Sequence, residues 1–187
     1  MTLLLGGCTW KVIPPEVDGP VTPVIVSAYS KHTRIALPSG ESSFIEFGFG
    51  DWNFYALGDT SKGTALQAAF DSEAAALSRR VLPWQGNLDR FRSSAGAVRS
   101  EVILVDAQRA RTLLESLEAQ WNALEGEEVY REWEDLTLRK WDEPYSLMRN
   151  SNHRTAAWLQ ELGCKVRGNP ITQDFRVEPR PSPAAQD

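Results

Sequence analysis

Residues 31–51 read Lys31-His32-Thr33-Arg34-Ile35-Ala36-Leu37-Pro38-Ser39-Gly40-Glu41-Ser42-Ser43-Phe44-Ile45-Glu46-Phe47-Gly48-Phe49-Gly50-Asp51. From His32 to Leu37 two sets of side chains alternate, His32, Arg34 and Ala36 against Thr33, Ile35 and Leu37, which is the period of a strand. Pro38-Ser39-Gly40-Glu41 is turn chemistry, and Ser43 to Phe49 is a second strand-like run, so the stretch predicts an antiparallel hairpin. Just upstream, the β-branched run Val24-Ile25-Val26-Ser27-Ala28-Tyr29 predicts a buried strand.

Outward from the hairpin, Thr64–Ala76 is rich in alanine and predicts a helix. Ser100–Asp106 predicts a further strand. Ala107–Leu124 places Ala110, Leu113, Leu114, Leu117, Trp121 and Leu124 on one stripe, the pattern of an amphipathic helix. Asp135–Trp141 predicts a short strand, and Ser151–Leu162 a helix that Gly163 ends. Lys165 onward predicts a last strand. Residues 9–23 hold four prolines and read as an extended leader, and residues 178–187 read as a disordered tail. The whole predicts a single α+β domain over residues 24–177, an antiparallel sheet packed against helices.

The chain has 187 residues, 42% hydrophobic and 24% charged, with seven Trp and seven Phe. That is globular composition at one-domain length, able to stand on its own core without disulfides or metal. The formal net charge is −5 and the basic residues are scattered. A nucleic-acid partner is therefore not expected, since phosphate neutralisation needs a basic face. No apolar run is long enough to span a bilayer.

The first residues form a short apolar run, and Leu5-Gly6-Gly7-Cys8 resembles the lipobox of bacterial lipoproteins. The resemblance implies a lipidated Cys8 and a place at the cell envelope or periplasm, with a membrane anchor. Only seven residues precede Cys8, fewer than a signal peptide needs. Either the start lies upstream of Met1, or the motif is accidental and the protein cytoplasmic. The second cysteine, Cys164, follows a helix end and reads as a packing residue.

Motif searches for phosphate loops, dinucleotide fingerprints and a Gly-x-Ser-x-Gly elbow fail. Two histidines and two cysteines far apart do not suggest a zinc site. No metal and no cofactor is expected. What remains is His32 and Asn150-Ser151-Asn152-His153. Taken locally, His32 is a strand-edge residue and the tetrad a helix N-cap, for which Asn and Ser are favoured.

Lys31-His32-Thr33-Arg34-Ile35, then Phe44-Ile45-Glu46-Phe47-Gly48-Phe49-Gly50-Asp51, then Asn150-Ser151-Asn152-His153, together resemble the circularly permuted, NlpC-type papain-like superfamily. The branch is that of lecithin retinol acyltransferase-like proteins, including a bacterial exported group. The resemblance spans roughly residues 24–165 and implies a permuted papain-like fold. It places Ser151 where the family has its nucleophilic cysteine, His32 as base and Glu46 as the residue that orients it, with Asp51 as the alternative. Asn150 and His153 would support the site, His153 through the loop that holds it.

A nucleophile at a helix start sits in the positive end of the helix dipole, beside amides that can hold a developing oxyanion. Serine, unlike cysteine, has no intrinsic thiolate reserve and depends wholly on an aligned base. The resemblance thus implies either a hydrolase or acyltransferase acting on an amide or ester of a cell-wall peptide or acyl-lipid-like substrate, or a silent relative that binds an envelope ligand. A structural lipoprotein is the third possibility.

Overall fold

In the computed structural model, residues 9–57, 72 and 74–179 are described. Ten strands and three helices appear among them: β1 Trp10–Ile13, β2 Val21–Ala28, β3 Thr33–Pro38, β4 Ser43–Asp51, β5 Ala75–Pro83, α1 Leu88–Ala95, β6 Arg99–Asp106, α2 Ala107–Ala123, β7 Glu128–Arg131, β8 Leu136–Trp141, α3 Ser151–Glu161, β9 Lys165–Arg167 and β10 Phe175–Val177. A π-helical turn, Trp52–Ala56, follows β4, and a 3-10 turn, Glu132–Glu134, follows β7.

The main sheet has seven strands in the order β6-β2-β3-β4-β5-β8-β7, every neighbour antiparallel. The fold is therefore α+β, built on a large antiparallel sheet. The hairpin read from the sequence lies at its centre: β3 pairs β4 with Ala36 opposite Glu46 and Arg34 opposite Gly48.

Both faces of β3 and β4 are buried, which explains their near-continuous apolar character. One face presents Ile35, Leu37, Ile45, Phe47 and Phe49 to α2 and α3. The other presents Ala36 and Phe44 to Phe91 and Ala95 of α1. The α2 stripe is as expected, with Ala110, Leu113, Leu117 and Trp121 buried, and Asp106 caps it by accepting from the Arg109 amide at 2.9 Å.

The structure corrects the reading in several places. Residues 9–23 are not simply a leader, because Trp10–Ile13 is the central strand of a second sheet, β10-β1-β9, with Trp10 and Val12 fully buried. The apolar alternation of Trp10 and Val12 outweighs the prolines that follow. Glu178 is likewise held, its amide donating to the Val12 carbonyl at 2.8 Å, while residues 180–187 lie outside the described residues. Of the expected helix Thr64–Ala76, residues 64–71 and 73 lie outside the described residues, and Ala75 and Ala76 open β5. β5 escapes a pattern reading because it carries Arg79 and Arg80 in mid-sheet, each neutralised by a tertiary partner. Helix α1 and strand β7 also had no counterpart in the sequence reading.

Candidate functional site

His32 sits one residue before β3, where the Tyr29 amide donates to the His32 carbonyl at 2.8 Å and closes the β2–β3 hairpin. At the sheet's end it borders both faces. Helix α3 is tied to the same strand by two buried contacts. Thr33 Oγ1 donates to Asn152 Oδ1 at 3.1 Å, and Thr155 Oγ1 donates to the Thr33 carbonyl at 3.2 Å. These bonds hold the start of α3 against the residue that follows His32.

The result is a cavity of about 280 Å³ with His32 and Ser151 both in its wall, together with Asp51, Tyr55, Tyr145 and Asn150. A larger depression of about 470 Å³ lies by Pro14, Pro15 and Arg109, and its lining includes no serine, cysteine or histidine. No hydrogen bond joins His32 to Ser151 among the described residues.

Asn150 takes three of the four amides in the first turn of α3. The Asn150 side chain caps the helix, its Oδ1 accepting from the Asn152 amide at 2.9 Å and the His153 amide at 3.1 Å. The Arg154 amide donates to the Asn150 carbonyl at 3.0 Å. That leaves the amide of Ser151 itself, which faces Tyr145. Burial pushes the Tyr145 phenol up to about 12 and the Asp51 carboxylate adds to this, while hydrogen bonds from the Ser151 amide and hydroxyl act the other way. The expected set of unpaired amides thus reduces to one, with a tyrosine oxygen resting on it.

The Asn-Ser-Asn-His tetrad is chiefly a clasp. Asn150 Nδ2 donates to the carbonyls of Leu147 and Ile171, both at 3.0 Å, and Asn152 Nδ2 donates to the same Ile171 carbonyl at 3.1 Å. His153 Nδ1 lies 2.9 Å from Asn150 Oδ1, and its Nε2 lies 2.9 Å from Asn169 Oδ1. His153 therefore joins the helix start to the loop at 169–171 and does not line the cavity.

Glu46 lies elsewhere. Side chains alternate along β4, so Glu46 points to the face opposite Phe47 and opposite α3. Its Oε1 accepts from the Tyr29 hydroxyl at 2.7 Å, and Oε2 accepts from Arg80 Nε at 2.8 Å and Arg34 Nη1 at 3.4 Å. All four of these side chains are buried or nearly so. The expected Glu46–His32 contact is absent from the hydrogen bonds of the described residues; Glu46 reaches His32 only by way of Tyr29, whose ring stacks on the imidazole at 4.9 Å.

What stands beside the His32 ring is Tyr55, from the π-helical turn. Its hydroxyl is 3.5 Å from His32 Nε2, the outer edge of hydrogen-bond reach, and also accepts from Arg34 Nη2. Gly50 makes room for it: a Cβ there would meet Tyr55 Cδ1 at 2.6 Å. Burial first, then the guanidinium charges of Arg34, Arg80 and Arg131, hold His32 well below the usual imidazole value. The ring is neutral at pH 7.

Asp51, the alternative orienter, lines the cavity but turns Oδ1 to the Phe54 amide at 2.6 Å, capping the π-helical turn. Cys8 lies outside the described residues. Cys164 is buried in the main core, where desolvation pushes its thiol up to about 12. Tyr29 and Tyr145 carried no site role in the sequence reading, whereas the aromatics near the hairpin, Phe44, Phe47, Phe49, Trp52, Phe54 and Tyr55, read as core residues or the lining of a groove, and Phe49, Phe54 and Tyr55 do line the cavity. The signal for Tyr55 was its place just after Gly48-Phe49-Gly50, where two glycines in a strand mark close approach of another group.

No group of three or more potential metal ligands occurs among the described residues, and no described helix is long and apolar enough to cross a membrane. In comparisons with protein-family models, with curated proteins and with solved structures, nothing matches this chain.

Proposed function

We propose that the cavity is a site of acyl hydrolysis or acyl transfer, with Ser151 as nucleophile and His32 as general base, in a permuted papain-like arrangement. The observation that carries the reading is that a histidine at the start of β3 and a serine at the start of α3, far apart in the chain, form walls of one small cavity. A neutral imidazole is the form that accepts a proton. With Nε2 turned to Tyr55, Nδ1 is the nitrogen left for the Ser151 proton. Tyr55, backed by Arg34, replaces Glu46 as the group that orients the ring.

The oxyanion would form at the Ser151 amide, displacing the Tyr145 oxygen that rests there. Tyr145 keeps its proton far above neutral pH and so can donate to the same oxyanion. The substrate is an amide or ester of the cell envelope, in keeping with the Cys8 motif.

One observation favours a second reading, a silent pocket that binds its ligand unchanged. Charging His32 during proton transfer is opposed by three arginines, and no carboxylate touches the ring among the described residues. A serine-directed fluorophosphonate probe, with labelled peptides mapped by mass spectrometry, separates the two. The enzyme reading expects labelling at Ser151 that falls at least about 100-fold in His32→Ala. No labelling of Ser151 in the natural protein would leave the silent pocket standing.

A further inference from the structure

His32 also lines a second cavity, of about 660 Å³, together with Tyr29 and Arg80. That volume is within the range of small-molecule sites. Tyr29 and Arg80 are nearly buried, and the three guanidinium nitrogens of Arg80 are spent on Glu46, the Tyr29 hydroxyl and the carbonyls of Glu134 and Ala95. The reachable part of the wall is different: Ser30, Ser93, Ser94, Glu132, Trp133 and Asp135 are all exposed. Trp133 is 78% exposed, yet the turn that presents it is firmly bonded. Its neighbour Glu134 accepts from Arg34 at 2.8 Å and Arg131 at 3.3 Å through the carboxylate, and from Arg80 at 2.8 Å through the carbonyl. The Asp135 amide closes the turn on the Glu132 carbonyl at 3.2 Å. Arg131 lies against the indole itself, 5.3 Å from the ring centroid. The indole is thus a fixed platform that a ligand need not order on binding.

An open indole bordered by hydroxyls and carboxylates suits a neutral, hydroxyl-rich ring. The C–H face of a pyranose covers apolar surface on the indole, while its hydroxyls donate to the carboxylates and exchange hydrogen bonds with the serines. An anion finds no free cation in this wall among the described residues, because Arg80 is already spent. A cation would approach an indole that already carries the Arg131 guanidinium, with Arg34 and Arg80 close behind. A purely apolar ligand would strip water from hydroxyls and carboxylates without replacing its hydrogen bonds. We propose that this cavity is a carbohydrate-binding site, with Trp133 as the stacking platform and Glu132 and Asp135 as acceptors for sugar hydroxyls. Because His32 stands in both walls, the sugar is held beside the cavity of Ser151. The site goes beyond the acyl-transfer reading, since binding does not require Ser151 to react.

The test follows the indole N–H signals of the full chain by NMR during titration with N-acetylglucosamine trimer, cellotriose and maltotriose. At least one of these neutral probes is expected to bind with a Kd of about 1 mM or tighter. Trp133→Ala alters an exposed side chain and is expected to weaken that binding at least about tenfold. Glu132→Gln keeps an acceptor oxygen but loses the charge, and is expected to weaken it at least about threefold. Binding of none of the neutral probes, or binding that Trp133→Ala leaves unchanged, would overturn the proposal. So would tighter binding of the deacetylated, amine-bearing trimer than of any neutral probe, because charge and not the sugar would then be what the wall reads. Should Trp133→Ala fail to fold, Glu132→Gln decides, and unchanged affinity there overturns the proposal. Ser151 labelling is read on a different residue in a separate measurement, so the two readings fail independently.

Discussion

At the scale of single residues, two buried groups carry consequences for stability. His32 has its folded value held below the ordinary 6.5, so the folded protein binds fewer protons than the unfolded chain as the pH drops through that range. Its contribution is complete above about pH 6.5 and is lost progressively as the medium becomes more acid. Urea unfolding at about pH 7.5 and about pH 5 should show a loss for the natural protein that is smaller in His32→Gln. Equal losses in both would remove His32 as the titrating group. Glu46 is the counter-charge for Arg34 and Arg80 inside the sheet. Glu46→Ala leaves two guanidinium groups buried without it and is expected to cost about 3–5 kcal/mol in the same measurement. A cost under about 1 kcal/mol would mean that Glu134 and the carbonyls of Glu134 and Ala95 suffice to hold those cations.

At the scale of elements, the start of α3 and strand β1 are the instructive cases. Asn150 is at once the helix cap and the donor that holds Leu147 and Ile171. Asn150→Asp retains the capping oxygen and loses both donations, so it separates the two roles. Asn150→Ala should cost about 1–2 kcal/mol more than a cap alone would, given the extra bonds. Asn150→Asp should recover only the cap's share, which thermal melts of the two variants would resolve. For β1, Trp10 is fully buried and packs on Phe175 with ring centroids 5.3 Å apart. Trp10→Ala is expected to cost about 3–5 kcal/mol. A leader without structural weight would tolerate it, and an unchanged urea midpoint would show as much.

At the scale of the whole molecule, the site depends on sheet order and on face. β3 lies between β2 and β4, and α3 crosses the face that carries Thr33, Ile35 and Phe47. Residues of odd and even position on β4 therefore belong to different chemical settings. Phe47 and Phe49 join the core beneath α3, whereas Glu46 enters the arginine cluster on the far side. His32 escapes this division because it precedes the strand and stands at the sheet's end.

The hairpin at 32–49, the strand before it, the α2 stripe and the Gly163 stop were legible because each rests on local period or on backbone freedom. Gly163 has φ of 88°, in the region where only glycine is at ease. The pairing of His32 with Ser151 in one cavity was legible only through a resemblance of short motifs, since no local rule links a hairpin to a distant helix. The partner of His32 was not legible. Glu46 looked like an orienter because it is acidic and one strand away, yet pleat periodicity sends it to the wrong face, and its charge is consumed by Arg80 directly opposite on β5. β5 itself went unread because its arginines look like surface residues until their buried partners are known.

Local chemistry in the sequence thus sufficed for the strands, helices and caps that neighbouring residues dictate, including Asn150 as the cap before Ser151. Tertiary structure alone decided which face each polar side chain serves, that Tyr55 and Tyr145 stand beside His32 and Ser151, and that one oxygen of Asp51 is buried with no hydrogen-bond partner among the described residues. The physical reason is that hydrogen-bond satisfaction and burial are properties of the assembled sheet and helices. They depend on strands that meet only after distant parts of the chain have packed.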